Sequence, residues 1–278
     1  LAESFWLCLA RRPEPVAADP STRMPRVSVH IPIYNEPPEL VIESLRALGR
    51  LDYPNYEVVV IDNNTKDPTV WAPVEAWCRE RPDIFRFFHL DHCPGFKAGA
   101  LNFTLKHMDQ TAEVVAVIDS DYTVKPDWLK SFAPYFNKPE VGFVQAPQDY
   151  RDWRGSLFKE MCYWEYAGFF HIGMVVRNER NAIIQHGTMT MVRKTALEEV
   201  GGWAEWCITE DAELGVKLMA HGYDSLYLNQ SFGQGVTPDT YAGYKSQRFR
   251  WAYGAMQIMK RHWREFVPWA GGSLTPAQ

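Results

Sequence analysis

Glu113-Val-Val-Ala-Val-Ile-Asp-Ser-Asp121 is the stretch on which the fold turns. Its apolar part, Val114–Ile118, is β-branched, too short for a helix and bounded by charge, so it reads as a strand buried on both faces. Val27–Ile33, Tyr56–Ile61 and Phe85–Leu90 repeat the pattern. The segments between them carry helical spacing, as at Leu40, Ser44, Leu45 and Leu48. Strands that alternate with helices predict an α/β fold with a mainly parallel central sheet and flanking helices. Past about residue 140 the alternation loosens. There the sequence predicts an aromatic-rich stretch at 157–170, a strand at 189–193 and helices near 209–220 and 240–260.

Composition narrows the function. A chain of 278 residues suits one large α/β domain. Its net charge of −5 argues against a general nucleic-acid binder, which needs a broad basic face. The five cysteines are scattered and form no CxxC pair, so neither a disulfide framework nor a zinc site is expected, and a reducing cytoplasm fits them. No stretch approaches the roughly 18 apolar residues of a membrane-spanning helix. Phe5-Trp-Leu-Cys-Leu-Ala-Arg-Arg12 reads equally as the cytoplasmic edge of a membrane segment or as chance, and residues 1–25 as an N-terminal linker.

In parallel sheets ligands bind beyond the carboxyl ends of the strands. Three runs end there on polar residues: Tyr34-Asn35-Glu36, Asp62-Asn63-Asn64 and Asp119-Ser120-Asp121. Asp119 and Asp121, two apart in an extended chain, point the same way and repel unless a cation intervenes. Hard oxygens of this kind suit Mg²⁺ or Mn²⁺ shared with phosphate, although a solvated acid pair has the same sequence. Asp62 can accept from a base or ribose, or close an Asx-turn. Pro94-Gly-Phe-Lys-Ala-Gly-Ala-Leu-Asn102 opens a helix whose amides and Lys97 suit an anion, or is a plain helix start.

Thr209-Glu210-Asp211 begins another helix, with Thr209 placed to cap it and the acids to complement its dipole. That position would keep Asp211 ionised at neutral pH, as a general base requires. Gln247, Arg250 and Trp251, at i, i+3 and i+4, are expected on one helix face, with Arg250 for a pyrophosphate and Trp251 for a pyranose ring. A cation–π pair on a core-facing helix is the alternative. Leu157 to Phe170 reads as core. Gln257 to Trp269 mixes basic and aromatic residues, as an interfacial helix or an ordinary terminal helix would.

The order of these signals along one chain is specific: a strand-end Asp, FKAGALN, DSD, TED and QRFRW. From about Pro25 to Lys260 the sequence resembles the processive members of glycosyltransferase family 2, which include bacterial cellulose, chitin, hyaluronan and β-glucan synthases. The resemblance implies a GT-A domain over residues 26–260 and a tail at 261–278. It implies that Asp62 and the Tyr34–Glu36 region hold uridine with Lys97 nearby, and that Asp119 and Asp121 bring Mg²⁺ or Mn²⁺ to the diphosphate. Asp211, beside Glu210, would be the general base. Gln247, Arg250, Trp251 and Thr209 would serve the pyrophosphate and the acceptor.

The segment from Gly187-Thr188-Met189 to Trp203 is similar to the family's approach to TED. His186 stands where cellulose synthases usually carry Cys, which, with Trp206-Cys207-Ile208, favours a β-1,3-linked or cyclic glucan over cellulose. The expected function is therefore inverting, processive transfer of glucose from UDP-glucose to a β-glucan at the cytoplasmic face of a bacterial inner membrane, reached through flanking segments. Rivals are a chitin- or hyaluronan-type synthase using UDP-N-acetylglucosamine, a non-catalytic nucleotide-sugar-binding module, a nucleotidyltransferase and a non-processive transferase.

Overall fold

A computed structural model describes residues 23–275 and Gln278. The Phe5–Arg12 fragment and most of the expected linker lie outside the described residues. Residues 23–25, assigned by sequence to that linker, and Arg26 after them are tied to the body. Arg23 pairs with Glu113 at 2.7 Å, Arg26 with Asp109 at 2.7 Å, and the Tyr53 hydroxyl donates to the Pro25 carbonyl.

The first half of the chain alternates as its sequence predicts. Strand β1 (Val27–Ile33) leads to helix α1 (Pro38–Leu48), β2 (Tyr56–Asn63) to α2 (Pro68–Arg79), and β3 (Phe85–Leu90) to α3 (Phe96–His107) before β4 (Val114–Val117). Short strand β5 (Thr123–Val124) and helix α4 (Trp128–Phe132) follow, then β6 (Val141–Gln145), α5 (Leu157–Gly168), a π turn at Phe169–Gly173 and α6 (Met174–Asn178). The last part holds β7 (Thr190–Arg193), α7 (Lys194–Glu199), α8 (Glu210–Ala220), β8 (Asp224–Tyr227), β9 (Gly233–Gln234) and α9 (Tyr241–Arg261).

The central sheet has seven strands in the order β3-β2-β1-β4-β7-β6-β8. All are parallel except β7, which runs antiparallel to both neighbours. Every residue of β1 is buried, as a central strand covered on both faces requires. One face packs on α1 through Val41, Leu45 and Leu48, and the other on α3 and α8 through Leu101, Leu214 and Leu218. Each such side chain contributes about 1.5–3 kcal/mol when fully buried. A polar chain also crosses the strands: Ser28 Oγ donates to Glu57 at 2.8 Å, and His30 Nε2 lies 3.1 Å from Ser28.

Strands β6 and β8 carry no clear sequence pattern. The first is a short buried run, and the second reads Asp-Ser-Leu-Tyr, whose polar residues find partners only in the fold: Ser225 pairs with Asn181 and Tyr227 N–H with Asn178. The stretch at 157–170 departs from its core reading. Cys162, Tyr166 and Phe170 are buried, but Leu157, Met161 and Trp164 are 76%, 65% and 65% exposed, because α5 covers the body with one face only. Among the described residues the four cysteines are free and no helix is long and apolar enough to cross a membrane.

Candidate active site

Register places the strand-end residues together. Ile33 pairs with Asp62 and His30 with Val117, so the polar ends of β1, β2 and β4 meet at one edge of the sheet. Antiparallel β7 brings a fourth segment to that edge. Thr190 pairs with Val117, so Gly187–Met189 ends beside β4, where the Thr188 hydroxyl accepts from the Asp119 amide at 3.0 Å.

Lys97 is delivered by the first turn of α3. Gly95, at φ 78°, turns the chain into the helix, and a Cβ at Gly99 would lie 1.9 Å from the Pro94 carbonyl, so the small residues of this segment permit the tight entry. The Lys97 ammonium donates to Asp119 at 2.5 Å and to the Gly187 carbonyl at 3.1 Å. Burial works against its charge, yet Asp119, Glu210 and Asp211 outweigh burial and raise its pKa. The sequence reading of an exposed lysine at a plain helix start therefore falls.

The acids around Lys97 exceed it in charge. Burial first, then the charges of Asp119 and Asp121, pushes Glu36 up to about 8, and the Ser120 hydroxyl donates to it. Burial and Asp119 push Asp121 up to about 6, while the Val236 amide donates to its carboxylate at 3.2 Å. These hard oxygen donors and their mutual repulsion fit a divalent cation. Among the described residues no group of three or more His, Cys, Asp or Glu is placed to hold a metal by itself, so a cation on Asp119 and Asp121 would need ligands from outside the protein.

Asp62 is held from inside the protein. It is 1% exposed, and each oxygen is engaged: the Thr65 hydroxyl donates at 2.6 Å and His89 Nδ1 lies at 2.6 Å. Thr65 in turn accepts from the Asn35 amide at 2.8 Å. Asp62 thus braces the turn that presents Tyr34, which is 59% exposed, and forms no Asx-turn with Asn63 or Asn64.

Asp211 stands at the start of α8, its carboxylate near the Lys97 ammonium and accepting from the Ala212 amide at 2.8 Å. The helix terminus does not set its charge as the sequence suggests. Burial raises its pKa against the lowering effects of Lys97 and Ala212. Glu210, 7% exposed, is pushed up to about 8 by burial and by Asp211. Thr209 occupies the cap position without a side-chain cap bond. Its hydroxyl lies 3.6 Å from Cys207 Sγ, and a Cβ at Gly254 would come 2.2 Å from it. Gly254 thereby lets α9 pack directly onto the start of α8.

A cavity of about 890 Å³ opens beside this point, and Thr209, Asp211, His186, Tyr166 and Trp251 are among its walls. Glu210 is not. The structure therefore joins Thr209 and Trp251 on one side of the Asp211 carboxylate, and Lys97, Asp119, Asp121 and Glu36 on the other.

Gln247 and Arg250 are not brought in. Residues 248, 251, 255 and 258 of α9 line the cavity, and at 100° per residue Arg250 falls off that stripe. Its guanidinium is 3.5 Å from Ser246 on its own helix, while Gln247 accepts from Arg248 at 2.8 Å. Arg248, Glu165 and Val236 enter the site without having been singled out in sequence, and Tyr166 enters it from the stretch read as core. Arg248 stands within QRFRW between the residues selected from it, and Glu165 lies in an aromatic run read as core.

The arrangement agrees with known proteins. The family model described as glycosyltransferase like family 2 matches residues 25–254. Glucomannan 4-beta-mannosyltransferase 2 of Arabidopsis thaliana is 29% identical over 280 residues, covering 96% of this chain and 52% of that protein. Probable glucomannan 4-beta-mannosyltransferase 9 of Oryza sativa subsp. japonica is 28% identical over 256 residues, covering 89% and 48%. The chain thus spans about half the length of the curated relatives it matches.

Among solved structures, mannosyltransferase PcManGT from Pyrobaculum calidifontis, in complex with GDP-Man and Mn²⁺, superposes with a TM-score of 0.76 at 26% identity, covering 99% of this chain and 72% of that one. TarS 1–349 of S. aureus in complex with UDP-GlcNAc shares the fold alone, with a TM-score of 0.56 at 18% identity over 79% of this chain and 60% of that one. The family match across most of the chain, on a sheet and strand-end site of GT-A form, shows that this protein belongs to glycosyltransferase family 2.

Proposed function

We propose that the domain transfers mannose from GDP-mannose, with inversion, to the end of a β-linked mannan or glucomannan. One observation carries the reaction: Asp211 lies where the Lys97–Asp119 cluster meets the aromatic-walled cavity, so one carboxylate faces both a donor and an acceptor. The donor comes from the relatives. The mannosyltransferases of plants and the Pyrobaculum protein with its GDP-Man favour mannose and guanosine over the glucose and uridine that the sequence suggested.

In this reading an acceptor hydroxyl stacks its sugar on Trp251 and gives its proton to Asp211. Its oxygen attacks the anomeric carbon of an α-linked donor, the bond from that carbon to the phosphate oxygen breaks, and GDP leaves. A β bond results. The raised pKa of Asp211 makes it a better proton acceptor, and Lys97 helps keep it ionised. Asp119 and Asp121 would hold Mg²⁺ or Mn²⁺, which supplies positive charge to the diphosphate. Lys97, beside these acids, is better disposed than Arg250 to meet a phosphate oxygen. The exposed Met259, Trp263, Phe266 and Trp269 suit attachment at a membrane face.

The test is product analysis. With Mn²⁺ and manno- or cello-oligosaccharides, GDP-mannose should be consumed and β-linked mannose added, with GDP released. Transfer from UDP-glucose with GDP-mannose untouched would overturn the donor assignment, and release of pyrophosphate would overturn the reaction class.

A further inference from the structure

The geometry points to Arg248 as a positioning residue that clamps Trp251 flat against α5 and so builds the acceptor platform. The inference rests on the reading of Trp251 as the acceptor's stacking surface.

Arg248 makes contacts that a solvated surface arginine would not. Its Nε and one terminal nitrogen donate to the two oxygens of Glu165 on α5, at 3.1 and 2.5 Å. Its other terminal nitrogen donates to Gln247 at 2.8 Å. With the fork so occupied, the flat guanidinium lies 4.2 Å from the centre of the Trp251 ring, 4.5 Å from Tyr244 and 5.6 Å from Tyr166. The Arg248 side chain is only 20% exposed, against 46% for its partner Glu165.

The rings form a stack beneath it. Trp251 lies 6.0 Å from Tyr166 at an interplanar angle of 21°, and Tyr166 lies 4.6 Å from Tyr150 at 17°. Trp251 keeps 38% of its surface open while lining the cavity with Asp211. A sugar laid on that open face is positioned only as well as the indole beneath it, and a misplacement near 1 Å at a reacting hydroxyl can cost about a hundredfold in rate. Arg248 fixes the indole of Trp251, on its own helix, by anchoring to Glu165 on α5, 83 residues away in sequence. Lysine cannot replace it, because an ammonium offers neither the two-pronged bond to Glu165 nor a flat face to the rings.

The experiment labels the tryptophans with 5-fluorotryptophan and assigns the Trp251 resonance by its loss in Trp251→Phe. In Arg248→Lys that resonance should shift or broaden, Glu165→Gln should displace it in the same direction, and the double variant should add little. An unmoved resonance overturns the clamp. This readout needs neither sugar nor nucleotide, so the clamp stands or falls apart from the choice of GDP-mannose. A second readout is kinetic. Arg248→Lys should raise KM for the oligosaccharide acceptor about tenfold, the scale of a desolvated cation–π contact, and a KM equal to wild type would overturn the acceptor role. Weakened nucleotide binding with an unmoved Trp251 signal would instead make Arg248 a phosphate ligand and overturn the proposal.

Discussion

The Lys97 ammonium donates to Asp119 Oδ1 at 2.5 Å, joining the start of α3 to the acids that follow β4. It neutralises part of the cluster's charge, while Arg151 donates to the Asp121 carbonyl at 3.0 Å. Lys97→Met should weaken binding of a nucleoside diphosphate by on the order of tenfold to a hundredfold, the value of a hydrogen bond to a charged group. Affinity for Mn²⁺ alone should not fall, since the acids remain. Calorimetric titration with GDP and with Mn²⁺ checks both, and unchanged GDP affinity would remove Lys97 from the donor site.

Asp211 and Glu210 are adjacent, but only Asp211 lines the cavity. Asp211→Asn should reduce transfer by about 10²- to 10⁴-fold, the range of general-base catalysis, while GDP still binds. Glu210→Gln should cost less. Retained transfer in Asp211→Asn, measured as sugar incorporation, would deny Asp211 the base role.

Gly187 lies between the two charged groups. A Cβ there would stand 2.9 Å from Lys97 Nζ and 3.1 Å from Asp211 Oδ2. Gly187→Ala should therefore displace both and lower kcat by about a hundredfold, as small misplacements of reacting groups do. Thermal unfolding should move little. A kcat equal to wild type would show that these groups tolerate the shift.

Glu36, pushed up to about 8, and Asp121, pushed up to about 6, bind protons in the folded state that the unfolded chain has released. Their contribution to stability is favourable at low pH and declines as pH rises from about 4 through 8. Between pH 5 and 8 the protein alone should lose thermal stability, and Mn²⁺ with GDP should restore more at pH 8 than at pH 5. A restoration independent of pH would mean that these acids do not face the ligands.

His30 has the opposite sign. Burial lowers its pKa to about 3, and because Ser28 donates its own proton to Glu57, His30 must donate from Nε2, which leaves Nδ1 without a partner in the core. Its contribution is full above 6.5 and is lost as pH falls toward 3. His30→Gln should be less stable near neutrality and less sensitive to acid than wild type. Urea midpoints at pH 6.5 and 4.5 that fall in parallel for the two proteins would contradict this.

Strands β1, β2 and β4 were legible because each is a buried parallel strand and such strands are mostly apolar, while β3, at the sheet edge, showed as an aromatic run. Helices α8 and α9 were legible through spacing and polar starts. Of the later strands, β7 was read at 189–193, but β6 and β8 were not. β8 is polar, and its hydrogen bonds come from Asn178 and Asn181, which no local pattern connects to it.

At the site, sequence alone determined which residue types sit at the strand ends and helix starts, since polar side chains that close apolar runs are a property of the chain. Lys97, Asp119, Asp121 and Asp211 were found in that way. Only tertiary structure decided which of them cluster and which line the cavity. Register and burial turned Asp62 inward to Thr65 and His89, raised Asp211 where a helix terminus alone would lower it, and chose Arg248 over Arg250 for the cavity. The physical reason is common to all three. A side chain's type is local, but its solvent exposure and the charges around it are set by neighbours that arrive from distant parts of the chain.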